Sequence, residues 1–130
     1  MRKGPTFLAV SLVLEIHARI LEEHGGDPGL RDRGLLEAAV AMPRATFGGA
    51  YLHDGIPDMA AAYHFHLSQN HPFVDGNKRV AFVAADIFLD LNGMTLEASD
   101  GEVVALAEGL AEGDLDKNDV REFYRRKTRG

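Results

Sequence analysis

The sequence predicts a single all-α domain. Three observations carry this: apolar residues recur at helical spacing in six stretches, glycine, proline and capping residues fall between them, and sustained strand alternation is absent. With 130 residues, 45% hydrophobic and 26% charged, the chain has the length and composition of one compact domain, 1–130, with a core of its own.

Leu12, Val13, Ile16, Ile20 and Leu21 set the first helix, and Gly25, Gly26, Pro28 and Gly29 break it after His24. Arg2 and Lys3 ahead of the apolar run Phe7 to Leu14 imitate the start of a secretory signal. Glu15, His17 and Arg19 follow at once and no small-x-small cleavage site appears, so an amphipathic helix is expected instead. No other apolar run approaches the roughly 18 residues that span a bilayer, so no membrane role is expected.

Asp32 is placed to cap a second helix carrying Leu35, Leu36, Ala39 and Val40, which Pro43 ends. Ala45 to Pro57 lacks a sustained period and reads as an exposed loop with at most a short extended piece. A third helix is expected from about Asp58 to Asn70, because the residue before Pro72 is pushed out of helical geometry. A fourth runs from about Gly76 to Asn92. Val80, Val83, Ala84, Ile87, Phe88 and Leu91 form its stripe, and Ala81, Phe82, Ala85 and Leu89 make the other sides apolar, leaving Asp86 and Asp90 as a narrow polar edge. That pattern marks it as the buried centre of a bundle of about six helices. Gly93 is its stop. Ser99 or Asp100 caps a fifth helix that Gly113 ends, and Asp116 caps a sixth carrying Val120, Phe123 and Tyr124.

Composition narrows the function. There is no Cys, which excludes disulfide and thiolate chemistry and is compatible with the cytoplasm. Lys and Arg number 14 against 20 Asp and Glu, a formal charge of -6, which argues against a nucleic-acid backbone as direct partner. Arg121, Arg125, Arg126, Lys127 and Arg129 crowd the C-terminus, either complementing the dipole of the last helix or forming a docking patch for an acidic partner.

The segment His71-Pro72-Phe73-Val74-Asp75-Gly76-Asn77-Lys78-Arg79 lies where a loop enters the fourth helix. The first N–H groups of a helix lack internal partners and its dipole makes that end positive, so a phosphate is bound there by backbone alone. Gly76 lets an anion approach the backbone, Asn77 caps or braces the loop, and Lys78 and Arg79 add full charges. His71, with an ordinary pKa of about 6.5, suits proton removal from a hydroxyl. Asp75 offers a carboxylate oxygen to a nucleotide-bound Mg²⁺, and Phe73 is expected to anchor the loop inward. Residues alone thus give a phosphate site with a candidate base. A metal site from His64, His66 and His71 is not expected, since positions 64 and 66 face different sides of a helix.

This nine-residue segment closely resembles the signature of the Fic/Doc family, and specifically its Doc-type toxins. The resemblance extends to His24–Leu30, Arg31–Glu37, Pro43–Gly49 and Phe88–Gly93, and so covers most of the chain. It implies a Fic/Doc-like helical bundle in which His71 is the base and Arg79 stabilises the transferring group. Gly76, Asn77 and Lys78 with Arg79 would line the anion site, and Asp75 would hold Mg²⁺. In Fic enzymes generally a glycine stands at the position of Lys78 and a second arginine at that of Phe82, and AMP is transferred from ATP. The Doc branch shares the Lys, which implies a nucleotide bound the other way round and transfer of the γ-phosphate of ATP or another nucleoside triphosphate to Ser or Thr. The implied acceptor is elongation factor Tu, with translation inhibited, and the implied partner is a Phd-like antitoxin whose tail folds into a groove. By the same resemblance Phe47 and Tyr51 are target-loop candidates. The inhibitory helix of many Fic proteins is not matched, because Val104 stands where its hydroxyl residue would precede Glu108 and Gly109. Two rivals stay open: an AMP-transferase on the same fold, and a catalytically silent module that only binds a partner.

Overall fold

The computed structural model describes residues 4–130, so the Arg2 and Lys3 of the signal-like start lie outside the described residues. Six helices account for the architecture: α1 Val10–His24, α2 Arg33–Ala41, α3 Ile56–Asn70, α4 Asn77–Leu91, α5 Asp100–Glu112 and α6 Lys117–Lys127. Caps fall where short polar side chains were expected to supply them. Asp32 accepts from the Leu35 N–H, while Ser99 with Glu102 and Asp116 with Asp119 form capping boxes on α5 and α6. Gly113 takes the left-handed conformation that closes α5.

α1 is amphipathic, burying Val13, Ile16, His17 and Ile20, and no helix among the described residues is long and apolar enough to cross a membrane. The bundle centre is shared, and it differs from the expected single fourth helix. α3 packs against α2, α4, α5 and α6 and buries an unbroken run from Asp58 to His64, whereas α4 leaves Leu91 half exposed. The reason is that Ala60, Ala61 and Ala62 let neighbouring helices approach α3 closely, while its buried Asp58 and His64 mask that role in a hydropathy pattern. Asp86 and Asp90 are exposed on α4, as its polar edge requires.

Three local differences from the sequence expectation have simple causes. α3 starts at Ile56 rather than Asp58, because Pro57 fits the first helical turn, where a missing N–H costs nothing. Pro43 does not stop α2 abruptly but sits in a 3₁₀ turn, Met42–Arg44. The loop from Ala45 contains a hairpin, β1 Thr46–Phe47 paired antiparallel with β2 Ala50–Tyr51. Gly48 and Gly49 both have positive φ, as a two-residue turn of this twist demands. A second ribbon, β3 Thr95–Leu96 with β4 Thr128–Arg129, ties the end of α6 to the segment after α4. The basic C-terminus is mostly paired within the fold: Arg125 grips Asp58 through two bonds of 2.7 and 2.8 Å, Lys127 pairs with Glu102, and Arg129 approaches Glu97 at 3.8 Å. Arg125, Arg126 and Lys127 also occupy the last turn of α6, where cations complement the helix dipole.

Candidate active site

The segment 71–79 joins the C-terminal end of α3 to the N-terminal end of α4, and the loop 27–32 splints it. Arg31 donates through Nε to the His71 carbonyl (2.7 Å) and through Nη2 to that of Asn70 (2.8 Å), closing the last turn of α3. The Arg31 and Asp32 N–H groups both donate to the Pro72 carbonyl, and the Val74 N–H donates to Gly29. Phe73 is buried, as its expected anchoring role requires, and stacks on His17 with ring centroids 3.8 Å apart.

His71 is the C-cap of α3 at φ 49°, the sole non-glycine of positive φ among the described residues. A residue preceding proline avoids the right-handed helical region, and here it takes the left-handed one rather than an extended form. Such strain persists where surrounding bonds over-determine it, and Arg31 supplies two of them. The imidazole is exposed, with Nδ1 3.2 Å from the Asn77 Nδ2. Asn77 is oriented without ambiguity: its Oδ1 accepts from the Phe73 N–H at 3.0 Å and its Nδ2 donates to the Phe73 carbonyl at 2.8 Å. Nδ1 of His71 therefore accepts, and the neutral ring keeps its proton on Nε2. The Asn77 side chain is a brace, buried with its polar atoms engaged, so what it offers the cavity is its backbone N–H.

α4 begins on Gly76 (φ 85°) with no side chain capping it. Its first closed bond runs from the Val80 N–H to the Gly76 carbonyl, and the N–H groups of Asn77, Lys78 and Arg79 find no acceptor among the described residues. The side chains of Lys78 and Arg79 are exposed, and neither enters an ion pair among the described residues. Three free donors, a dipole end and two cations thus share one point, which is the physics of an oxyanion site.

Asp75 is exposed beside that point. Its Oδ2 accepts from the Asp27 N–H at 2.7 Å, and Oδ1 has no donor among the described residues. One free carboxylate oxygen beside such a tip would fit Mg²⁺ if a polyphosphate were bound there, since that ion keeps most of its shell for water and phosphate oxygens. No group of three or more His, Asp or Glu among the described residues could hold a metal without such help.

Two cavities meet at the α4 tip and share Lys78 and Arg79. The first, about 660 Å³, is lined by His71, Asp75, Gly76 and Asn77 and, opposite, by Leu110 to Gly113 at the end of α5. The second, about 620 Å³, is walled by Phe82 of α4 and Val103, Val104 and Ala107 of α5, with His24, Asp100 and Glu108 at its polar edge. All of His71, Asp75, Gly76, Asn77, Lys78 and Arg79 are thereby brought to one place. Phe47 and Tyr51 are not: neither lines a cavity described here, and both sit on the β1–β2 hairpin, Phe47 84% exposed and Tyr51 edge-on to Phe7 at 5.6 Å. Arg44, 5.0 Å over the Phe7 ring, steadies the base of that hairpin.

His64 and His66 stay out of the site. His64 is buried with Nδ1 2.6 Å from the Tyr124 hydroxyl, and burial pushes its pKa down to about 4. Burial, then the charge of Lys117, then His53 push His66 down to about 4 as well. Sequence reasoning gave no role to Arg31, Asp27 and His17, which hold the site loop from 39 to 58 positions away. The single local signal was His17 itself, a polar residue on the buried face of α1.

Known proteins are similar to this chain over most of its length. The model of the Fic/DOC family matches residues 7–89, well over half of the chain. The chain belongs to the Fic/DOC family. Within it the relatives are of the Doc type. A protein named Toxin Doc from Mycolicibacterium smegmatis is 50% identical over 74 residues, 57% of this chain and 57% of that protein's length. A protein named Protein kinase doc from Escherichia phage P1 is 30% identical over 114 residues, 88% of this chain and 89% of that one. The Fic/DOC match ends within α4, so it does not include α5, which walls both cavities, or α6, which packs on α3.

Proposed function

We propose that this chain is a Doc-type toxin that transfers the γ-phosphate of a nucleoside triphosphate to a Ser or Thr hydroxyl of another protein. The observation that carries the reading is the α4 tip, where unpartnered N–H groups, Lys78 and Arg79 stand within one hydrogen-bonded loop of an exposed His71. In the step, the acceptor O–H gives its proton to the imidazole while its oxygen bonds the γ-phosphorus. The bond from that phosphorus to the bridging oxygen breaks, and the nucleoside diphosphate leaves. Because Nδ1 faces the Asn77 amide donor, the incoming hydroxyl either displaces that amide from Nδ1 or meets Nε2 after the ring has moved its proton to Nδ1 and given up the Asn77 contact. Charge on the transferring group is stabilised by Arg79, Lys78 and the helix N–H groups. Asp75 would hold Mg²⁺, which supplies charge neutralisation to the phosphates when bound.

Two observations favour γ-phosphate over AMP transfer. Phe82, with Val103, Val104 and Ala107, gives the second cavity an apolar wall, which suits the face of a nucleobase and would aim the terminal phosphate at the α4 tip. The phage P1 relative carries the name of a protein kinase. The toxin role follows the name of the mycobacterial relative. A Phd-like antitoxin as partner, elongation factor Tu as the acceptor, arrest of translation and a cytoplasmic site of action are what the resemblance of the segment His71 to Arg79 to Doc-type toxins implies.

The test is incubation with γ-labelled and with α-labelled ATP in a bacterial lysate. Entry of the γ label alone into protein is the expected result, and entry of the α label makes the enzyme an AMP-transferase. A Lys78→Gly variant that moves transfer from the first label toward the second would tie the choice to that side chain.

A further inference from the structure

One buried side chain under the site loop is unused by the chemistry above. His17 projects from the core face of α1, 4% exposed, among Val13, Ile16 and Ile20. An aliphatic residue would serve that face on packing grounds alone, and burying an imidazole has a cost that only a hydrogen bond offsets. The bond it makes is specific. Nε2 donates to the backbone carbonyl of Asp75 at 2.9 Å, which fixes the proton on Nε2 because a carbonyl only accepts. The ring lies flat on Phe73, 9° from parallel, and its Cδ2 is 3.6 Å from where a Cβ on Gly76 would stand.

The Asp75 residue is therefore clamped twice, its carbonyl by His17 from α1 and its carboxylate by the Asp27 N–H from the splinting loop. The Asp75–Gly76 peptide that His17 holds leads directly into Gly76, the left-handed residue on which α4 begins.

We propose that His17 is a positioning residue that holds the Asp75 carbonyl and so sets the direction in which Asp75 Oδ1 and the α4 tip face a metal-bound polyphosphate. The inference rests on the nucleotide reading of that tip, and it separates from the identity of the transferred group. A residue that only fills the core would alter stability when replaced; a positioning residue alters metal and phosphate binding through its N–H.

Two variants divide these cases. His17→Phe keeps the ring and its stacking and removes the donor, while His17→Gln places an N–H close to the position of Nε2. Binding of Mn²⁺ with a non-hydrolysable ATP analogue is measured by electron paramagnetic resonance, alongside the Gly76 amide shift by NMR and the melting temperature. The expected result is about tenfold weaker Mn²⁺ binding and a displaced Gly76 amide in His17→Phe. Recovery to within about threefold of the wild type is expected in His17→Gln, with no matching order in the melting temperatures. Wild-type Mn²⁺ binding in His17→Phe, or equal losses in both variants that follow their melting temperatures, would overturn the proposal. If the wild type binds the Mn²⁺ complex and the variants behave as expected, but no γ label reaches protein, the phosphotransfer reading falls and the role of His17 stands. Absence of Mn²⁺–nucleotide binding by the wild type would sink both.

Discussion

α3 carries histidines in its middle and at its end, about two turns apart, and the fold treats them oppositely. His64 is sealed between α3 and α6, bonded to the Tyr124 hydroxyl, and burial holds it neutral down to about pH 4. His71 lies in the open on a strained cap, touched by the long Asn77 contact and ringed by groups that fix its backbone rather than its ring. The contrast teaches that packing decides what a histidine can be used for: where the ring is packed it is a polar strut, and where the main chain is pinned and the imidazole is exposed the ring is left within reach of another molecule.

Replacing each histidine should therefore break different things. The largest effect is expected from His71→Ala, a loss of phosphotransfer of about 10²- to 10⁴-fold with the melting temperature unchanged, measured by label transfer and calorimetry. Full toxicity of this variant when produced without its partner would point to the silent binding module instead.

The second effect belongs to His64 and is read in stability. Its folded pKa is about 4 against an ordinary 6.5, so between those values the unfolded chain takes up a proton that the folded chain refuses. Stability is then present above pH 6.5 and is lost as the pH falls through that window, on the order of 3 kcal/mol for this one group. Urea unfolding at several pH values should show the slope, and His64→Leu should lessen it, leaving the part that His66 contributes over the same window. An unchanged slope would mean that the burial of His64 does not govern acid sensitivity.

The smallest effect sharpens the view of the His71 loop. A Cβ on Gly76 would meet nothing closer than 3.4 Å, so Gly76→Ala is strained by its φ of 85° and not by crowding. A loss of roughly 1 kcal/mol is expected, and a loss several times larger in chemical denaturation would reveal a clash that the distances do not contain.

What the sequence disclosed and withheld divides along the same line. Ser99, Asp116 and Gly113 were legible as helix boundaries because capping is local chemistry, decided within four residues. The segment His71 to Arg79 was legible for the same reason: loop, glycine and helix entrance are consecutive. The hairpin was less so, since strands of two residues are too short to alternate, although the Gly48–Gly49 pair is a turn signal. Which way Asn77 points, and that α3 rather than α4 is the more enclosed helix, depend on neighbours that sequence spacing does not identify. Arg31, Asp27 and His17 were invisible as site residues because each acts across 39 or more positions, on a carbonyl or carboxylate that no local pattern announces.

Helices α5 and α6 complete their first turns with their own side chains, whereas α4 starts bare on Gly76. Were the proposed nucleotide to occupy that entrance, the substrate would double as a folding partner, and resistance to heat and proteolysis would follow its supply. At a hundredfold excess over Kd the gain is about 2.7 kcal/mol, so the molecule would last longest in cells rich in triphosphate and be cleared soonest in those depleted of it.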